Sequence, residues 1–480
     1  MSDTQQSGTA SFIRENLEAF AVAVAMALVI RHFCVEAFRI PTASMEPTLY
    51  GDHYSLTGER RHGDRILVDK FVKIVRDPRR FEVWVFRYPL NYSKNYIKRV
   101  AGLPGEWLQT VDGDLWISSD QGKTWRIPYK PAGVRERHLA EYWPHPVSNP
   151  DAFKDVRCWI LGKEWTLDAT VVDSFEVDAG DEPTELEFAR RIVRYGEVDD
   201  HGRSTEKPVG DVRLGFDVEV QRPGTLRVRI RDHRRDHVLT LGPEGSFMRA
   251  AGDHPELDLD WKLTPGTHSI SFANVDDVLY AVLDGREFEL SFAKTRDAPP
   301  AAAPRPASVT FPDHTSDNGV MVVARDLKAR LSEMRLERDI YYNPEDKSPR
   351  STDEEYWEIP EGHFFMMGDN TGRSKDSRSW EVLQVELKSG EIVRWEAGEE
   401  GNPISRDRPT GERAMVIQAD VDGLVRQIYK DDVEKGGWND AGTEQPFVPR
   451  SHLVGRAFVI FWPIFTPPVY KGPSRVRWIR

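Results

Sequence analysis

The spacing of apolar and polar positions divides the chain into regions of distinct character. Ala19–Ile30 carries no charge, and the apolar stretch from Leu17 to Val35 is broken by Glu18, Arg31 and His32. A membrane-spanning helix needs about 20 mostly apolar residues. This one therefore relies on end residues that snorkel their charges to the interface. Its flanks fit a cleaved leader poorly, since Asp3, Glu15 and Glu18 outnumber Arg14 and no clear small-x-small site follows the apolar core, where Arg31-His32-Phe33 comes next. The pattern predicts a retained transmembrane anchor over 17–35, with a buried core helix as the competing reading. Arg14, Arg31 and Arg39 do not fix its orientation.

Beyond it the period shortens to two. Arg65–Val68, Phe81–Phe86 and Tyr96–Val100 read as strands, and Leu103-Pro104-Gly105 as a turn. Val111 to Trp116 reads as a hairpin closed by Asp112-Gly113. From 205 to 345 the alternation becomes strict. Val212, Leu214, Phe216, Val218 and Val220 share one face, Leu226, Val228 and Ile230 another, and His268, Ile270 and Phe272 a third. Val278–Leu283 then meets the turn signal Asp284-Gly285. Repeated turns with such alternation predict an antiparallel β-sandwich with one solvated face. Arg227, Arg229 and Arg231 belong to that face. Ala298–Pro306 reads as a stiff polyproline-like loop, and the charged, Gly-rich 384–446 as a second, smaller insertion.

Length and charge then narrow the classes. A chain of 480 residues suggests roughly three domains. With 78 acidic and 65 basic residues the net charge is −13, which opposes a phosphate-binding surface. Two cysteines, Cys34 and Cys158, exclude a disulfide scaffold and Cys-rich metal centres. No metal and no cofactor is expected.

The candidate chemistry lies in separated blocks. Phe38-Arg39-Ile40-Pro41-Thr42-Ala43-Ser44-Met45-Glu46-Pro47-Thr48-Leu49 places a serine between two prolines, which favours extended backbone over helix. Lys98 sits mid-strand between Ile97 and Arg99. The run Gly368-Asp369-Asn370-Thr371-Gly372-Arg373-Ser374-Lys375-Asp376-Ser377-Arg378 is dense in turn formers and hydrogen-bonding side chains. Phe447-Val448-Pro449 and Leu453–Ala457 follow. In this order, behind an apolar helix, the blocks resemble type I signal peptidases, the membrane-anchored Ser/Lys endopeptidases of exported precursors. The resemblance covers about 17–116, 360–382 and 447–463.

The resemblance implies Ser44 as nucleophile and Lys98 as general base. It implies that the Thr42 hydroxyl joins the Ser44 N–H in an oxyanion hole, that Ser374 orients the lysine, and that Asp376, Arg378 and Arg99 support the site. Phe38, Ile40, Pro41, Met45, Leu49 and Ile97 match the lining of shallow pockets for small side chains. Thr42 and Ala43 replace the commoner Ser and Gly, and the long spacing from Lys98 to Ser374 demands an inserted domain. A lysine base must be neutral, which means lowering a reference pKa of about 10.4 toward 7–8 by desolvation. Tyr96 and Val100 share its strand face and supply apolar neighbours.

Rival sites are weaker. No Gly-x-Ser-x-Gly elbow exists for a serine–histidine triad. His233 and His237 have metal-ligand spacing only on a helix, and they lie between strand patterns. Ser204-x-x-Lys207, Ser316-Asp317-Asn318 and Lys388-Ser389-Gly390 follow the penicillin-recognising order, but Pro208 opposes the helix that set needs.

The expected fold is mainly β: a signal-peptidase-like catalytic core with one N-terminal transmembrane helix and a large inserted sandwich, concanavalin- or laminin-G-like. The expected layout is a tail at 1–16, the anchor at 17–35, core at 36–130, an insertion at 131–204, the sandwich at 205–345, core at 346–383, the second insertion at 384–446 and core at 447–480. The resemblance implies removal of signal peptides from secretory preproteins after small-x-small sequences. It also implies single-pass placement in the cytoplasmic membrane, with the catalytic domain outside. The expected partners are those preproteins, the lipid bilayer and, for the sandwich, an envelope polymer or a protein, but no nucleic acid. The alternatives are a membrane-tethered binding protein with a decayed core and a self-cleaving Ser/Lys regulator.

Overall fold

The computed structural model describes residues 16–26, 28–29, 33–54, 60–111, 113–143, 158–167, 174–189, 192, 209–232, 235–293, 295–297, 318–340, 342, 356–396, 404–407, 413–417, 420–422, 424–429, 432–444, 447–462 and 476–479. These residues are mainly β. Three bodies of sheet account for them.

The first is an antiparallel sheet assembled from distant parts of the chain. Its order is Val35–Arg39, Arg65–Asp69, Leu453–Trp462, Val83–Tyr88, Asn91–Gly102, His363–Met367 and Phe447–Pro449, with Arg477–Trp478 pairing Leu453–Trp462. Two clusters pack on it. Trp84, Phe86, Tyr88, Val100, Phe364, Met366 and Trp380 form one. Ile40, Met45, Leu49, Ile66, Val68, Val83, Val85 and Ile460 form the other. The Asp-Gly hairpin forms where the pattern places it: Trp107–Val111 pairs Asp114–Ser118, and Gly113 takes φ 99°, which a side chain would resist.

The second body is a pair of antiparallel sheets. One runs Trp159–Leu161, Thr184–Phe188, Gly319–Arg325, Thr225–Asp232, Arg235–Leu241, Ser246–Arg249 and Leu257–Leu259. The other runs Trp165–Leu167, Phe175–Asp178, Lys328–Arg338, Val212–Arg222, Gly266–Val275, Val278–Leu283 and Arg286–Ser291. Alternate residues of both sheets bury themselves in one cluster that includes Leu214, Phe216, Val228, Ile230, Ile270, Phe272, Leu279 and Leu331. Strands from within 159–188 belong to these same sheets, so a boundary at 205 cuts through them. Arg229 and Arg231 face outward against Asp236, with Arg231 Nε 2.7 Å from it. His237 is buried in its strand, and Asn318 is buried too. His233, Ser204, Lys207, Ser316, Asp317 and Ala298–Pro306 lie outside the described residues.

The stem of this body returns to where it left, because Ala140 pairs Arg338. The third body lies within 381–444. Glu381–Leu387 pairs Ile392–Glu396 and Val433–Glu444, and Arg413–Ile417 pairs Ile404–Asp407 and Arg426–Tyr429. It touches the first sheet through Tyr88, whose hydroxyl donates to Glu396 at 2.8 Å.

The expected anchor at 17–35 lies partly outside the described residues. Residues 16–26 and 28–29 are helical, with Leu17, Phe20, Val22, Met26, Leu28 and Val29 exposed. Val35 already belongs to the first strand. Among the described residues no helix is long and apolar enough to cross a membrane.

Candidate active site

Ser44 occupies a single turn of 3-10 helix, Ala43–Met45, entered by Thr42 and left by Glu46 in extended backbone. The prolines at 41 and 47 keep that turn from growing. Gly51 packs behind it, and a Cβ there would stand 2.3 Å from the Thr42 carbonyl carbon. Lys98 Nζ donates to Ser44 Oγ at 2.6 Å, with the lysine 4% and the serine 8% exposed. Lys98 lies across from Trp84 and 5.7 Å from the Tyr96 ring, on the aromatic side of the sheet. Thr42 Oγ1 lies 3.4 Å from the same serine oxygen.

The loop 368–378 forms the back wall. Asn370 N–H donates to the Ser44 carbonyl at 3.1 Å, and its side-chain amide donates to the Ala43 carbonyl at 3.0 Å. Gly368 passes so close that a Cβ would stand 2.1 Å from Ser374 Oγ and 2.5 Å from the Ser44 carbonyl oxygen. Ser374 is fully buried there. Beneath it, Arg378 holds Asp376 through Nε at 2.8 Å and Nη2 at 2.7 Å, and Asp376 accepts the Gly368 N–H at 3.0 Å. Burial alone would push the Asp376 acid up. The Arg378 charge, these hydrogen bonds and the nearby Lys98 charge hold it below its usual range. Arg99 forms a second buried pair, with Nε 2.8 Å and Nη2 2.6 Å from Asp369, and it also donates to the Phe81 carbonyl and to Thr48.

The predicted residues therefore converge, with one division among them. Ile40, Met45 and Leu49 are 3%, 0% and 0% exposed, so their surface is spent in the core rather than on a ligand. Phe38 and Ile97 stay half-buried at the edge of that cluster, and Pro41 is exposed. Sequence reasoning missed Val454, a third partly buried residue packed against that cluster. It also missed the roles of Gly368, Asp369, Asn370 and Thr48. Turn-former density flagged the loop, but nothing local showed which side chain reaches back to residue 44. Lys375 points away and pairs with Glu396 of the third body.

The residues with metal-ligand chemistry lie elsewhere. Asp114, Asp211 and Asp276 bring carboxylate oxygens within 4.8 Å of one another where the paired sheets meet the catalytic core. Burial and mutual repulsion push the Asp114 and Asp211 acids well above the usual range, and Asp276 up to about 6.

Residues 13–159 and 314–395 match the family described as signal peptidase, peptidase S26. The chain is 43% identical over 105 residues to Signal peptidase I of Pseudomonas fluorescens, an overlap of 22% of this chain and 37% of that one. It is 39% identical over 105 residues to the Pseudomonas aeruginosa protein of that name, with the same two shares. The Rickettsia prowazekii protein is 33% identical over 115 residues, covering 22% of this chain and 44% of its own length. The chain thus spans less than half the length of these relatives. A carbohydrate binding module from Bacillus subtilis overlaps 38% of the chain at 9% identity and a TM-score of 0.24, from which nothing is transferred. The unmatched 160–313 coincides with most of the paired sheets, and Ser44, Lys98 and Ser374 all fall within matched residues. Those two segments are what this chain shares with the family described as signal peptidase, peptidase S26.

Proposed function

We propose that the protein is a membrane-anchored type I signal peptidase that removes signal peptides from exported precursors after small-x-small sequences. The observation that carries this is the buried 2.6 Å contact between Lys98 Nζ and Ser44 Oγ. In the reaction, neutral Lys98 takes the hydroxyl proton as Ser44 Oγ attacks the scissile carbonyl carbon. The oxyanion accepts hydrogen bonds from the Ser44 N–H and the Thr42 hydroxyl, each donor worth about 2.7–4 kcal/mol. Protonated Lys98 then passes its proton to the leaving amine, and water hydrolyses the acyl-enzyme with Lys98 again as base. Burial opposite Trp84 and beside Tyr96 disfavours the charged amine, which is the form the reaction must lose.

Ser374 orients the lysine, while Asp376–Arg378 and Arg99–Asp369 keep the loop and the Lys98 strand in place. The partly exposed Phe38, Ile97 and Val454 give the substrate a shallow apolar wall. The exposed apolar side chains of 16–26 and 28–29 fit lipid better than water, which supports a membrane anchor, while a single pass through the cytoplasmic membrane with the site outside rests on the resemblance alone. The paired sheets serve as an accessory sandwich for an envelope polymer or a partner protein.

Cleavage of a secretory precursor by the wild type and by Ser44→Ala and Lys98→Ala tests the dyad. Each variant should lose at least about 10⁴-fold in kcat while folding normally, and the double variant should lose little more. Substantial cleavage by either single variant refutes the assignment.

A further inference from the structure

The junction between the catalytic core and the paired sheets contains an unbalanced group of carboxylates. Asp114 opens the core strand Asp114–Ser118, Asp211 precedes the strand Val212–Arg222, and Asp276 lies in the turn between Gly266–Val275 and Val278–Leu283. Lys130 reaches Asp276 at 2.9 Å and pairs also with Asp339. Neither Asp114 nor Asp211 forms an ion pair among the described residues, and the Asp114 carboxylate takes no hydrogen bond there. Four carboxylates share one lysine there, so with all four ionised the group would carry −3, in a place where unpaired charge is costly.

A second observation points to what balances it. Asn274 is 2% exposed and is tied into the group by its amide nitrogen, which donates to Asp211 Oδ1 at 2.9 Å. Its other terminal atom, Oδ1, is buried at the same place without a hydrogen-bond partner. A buried amide oxygen with no donor is rare in folded proteins. Here it belongs to a side chain bonded to Asp211, one of three carboxylates whose oxygens all lie within 4.8 Å of one another. Oxygens bound to one calcium ion at about 2.3–2.6 Å are at most about 5 Å apart.

We propose that Asp114, Asp211, Asp276 and the Asn274 side-chain oxygen bind one calcium ion that fastens the inserted sheets to the catalytic core. The donor set is all oxygen, with neither thiolate nor imidazole, which selects a hard cation. A divalent ion brings the group from −3 to −1. Because Asp114 comes from the core and the other three from the inserted sheets, the ion is a cross-link between bodies. It lies apart from Ser44 and Lys98 and takes no part in the reaction proposed for them.

The test uses the full-length chain in detergent, with calcium chloride as the probe. Isothermal titration of the EDTA-stripped protein should show one calcium ion per chain. Calcium a hundredfold above its Kd should raise the melting temperature over EDTA by about 5 °C. Asp114→Asn makes no lost hydrogen bond, so in EDTA it should melt no lower than wild type, yet it should lose the calcium shift. Asn274→Ala should weaken calcium binding at least tenfold. Absence of heat and of any shift in the wild type overturns the proposal, as does wild-type calcium binding by Asp114→Asn. Binding of magnesium but not calcium overturns the choice of ion.

Discussion

The Ser44 site and the core–insert junction are both buried and highly charged, yet they handle charge in opposite ways. At the site each cation has its own carboxylate. Arg99 grips Asp369 and Arg378 grips Asp376, both with two-pronged geometry, and Asp376 also accepts the backbone N–H groups of Gly368 and Arg378. Pairing of this kind fixes position, because a guanidinium fork and a carboxylate fit together in essentially one orientation. At the junction a single lysine faces several acids, and one amide oxygen is left over. The lesson is that burial alone does not distinguish a scaffold from a binding site. What distinguishes them is whether the partners balance.

That contrast can be attacked directly. The largest expected effect on stability comes from unpairing the site's scaffold. Asp369→Ala leaves Arg99 buried and uncompensated, and should cost about 3–5 kcal/mol in denaturant unfolding. A loss below 1 kcal/mol would mean that the pair positions nothing. Next in size is an acid effect carried by two histidines. Burial holds the His237 imidazole down at about 4, with Arg235 and His254 adding and Asp232 and Asp236 opposing. Burial also holds His138 well below 6.5, with Arg99 and Lys130 adding. The unfolded chain therefore binds more protons below pH 6.5, so stability present above that pH is lost as the pH falls toward 4. His237 alone accounts for on the order of 2 kcal/mol of the loss. His237→Asn should flatten the curve of stability against pH between 6.5 and 4, and an unchanged slope would remove that histidine from the account.

Smaller still is the exposed pair of Arg222 with Asp178 at 2.9 Å. Arg222→Ala should change stability by less than about 1 kcal/mol. A larger loss would show that surface pairing matters in the inserted sheets as it does not elsewhere. The smallest effect on the chemistry is expected from removing the inserted sheets. Replacing 144–334 by a Gly/Ser linker keeps Ala140 beside Arg338 and removes none of the hydrogen-bond partners described at Ser44. Cleavage of a short peptide should persist. Its loss in a folded variant would make the sheets part of the active site.

Local pattern and long-range assembly differ in what the sequence discloses. Strict alternation from Val212 to Val220 and from Leu226 to Ile230 predicts the strands Val212–Arg222 and Thr225–Asp232, because a period of two depends only on which face is buried. The turns at Gly113 and at Asp284-Gly285 were legible for a similar reason, since these three residues take positive φ angles that few residue types tolerate. Ser44, Lys98 and Ser374 were legible only by resemblance, as nothing in their spacing brings them together. The pocket residues Ile40, Met45 and Leu49 show where that reasoning stops. Their apolar character is the same whether they meet substrate or core, and only the packed structure assigned them to the core.

The sequence by itself therefore determined the mainly β character, the hairpin turns and the blocks that resemble the signal peptidase family. It could do so because each rests on a local period, a backbone constraint or a recognisable run of residues. Tertiary structure alone decided that strands within 159–188 join the same sheets as those after 205, and that Asn370 and Gly368 close on the Ser44 turn. It alone decided that Asp114 meets Asp211 and Asp276 across two bodies of the molecule. These are contacts between residues up to hundreds of positions apart, set by how finished sheets pack against one another. No window of sequence contains both partners, so no local rule can read them.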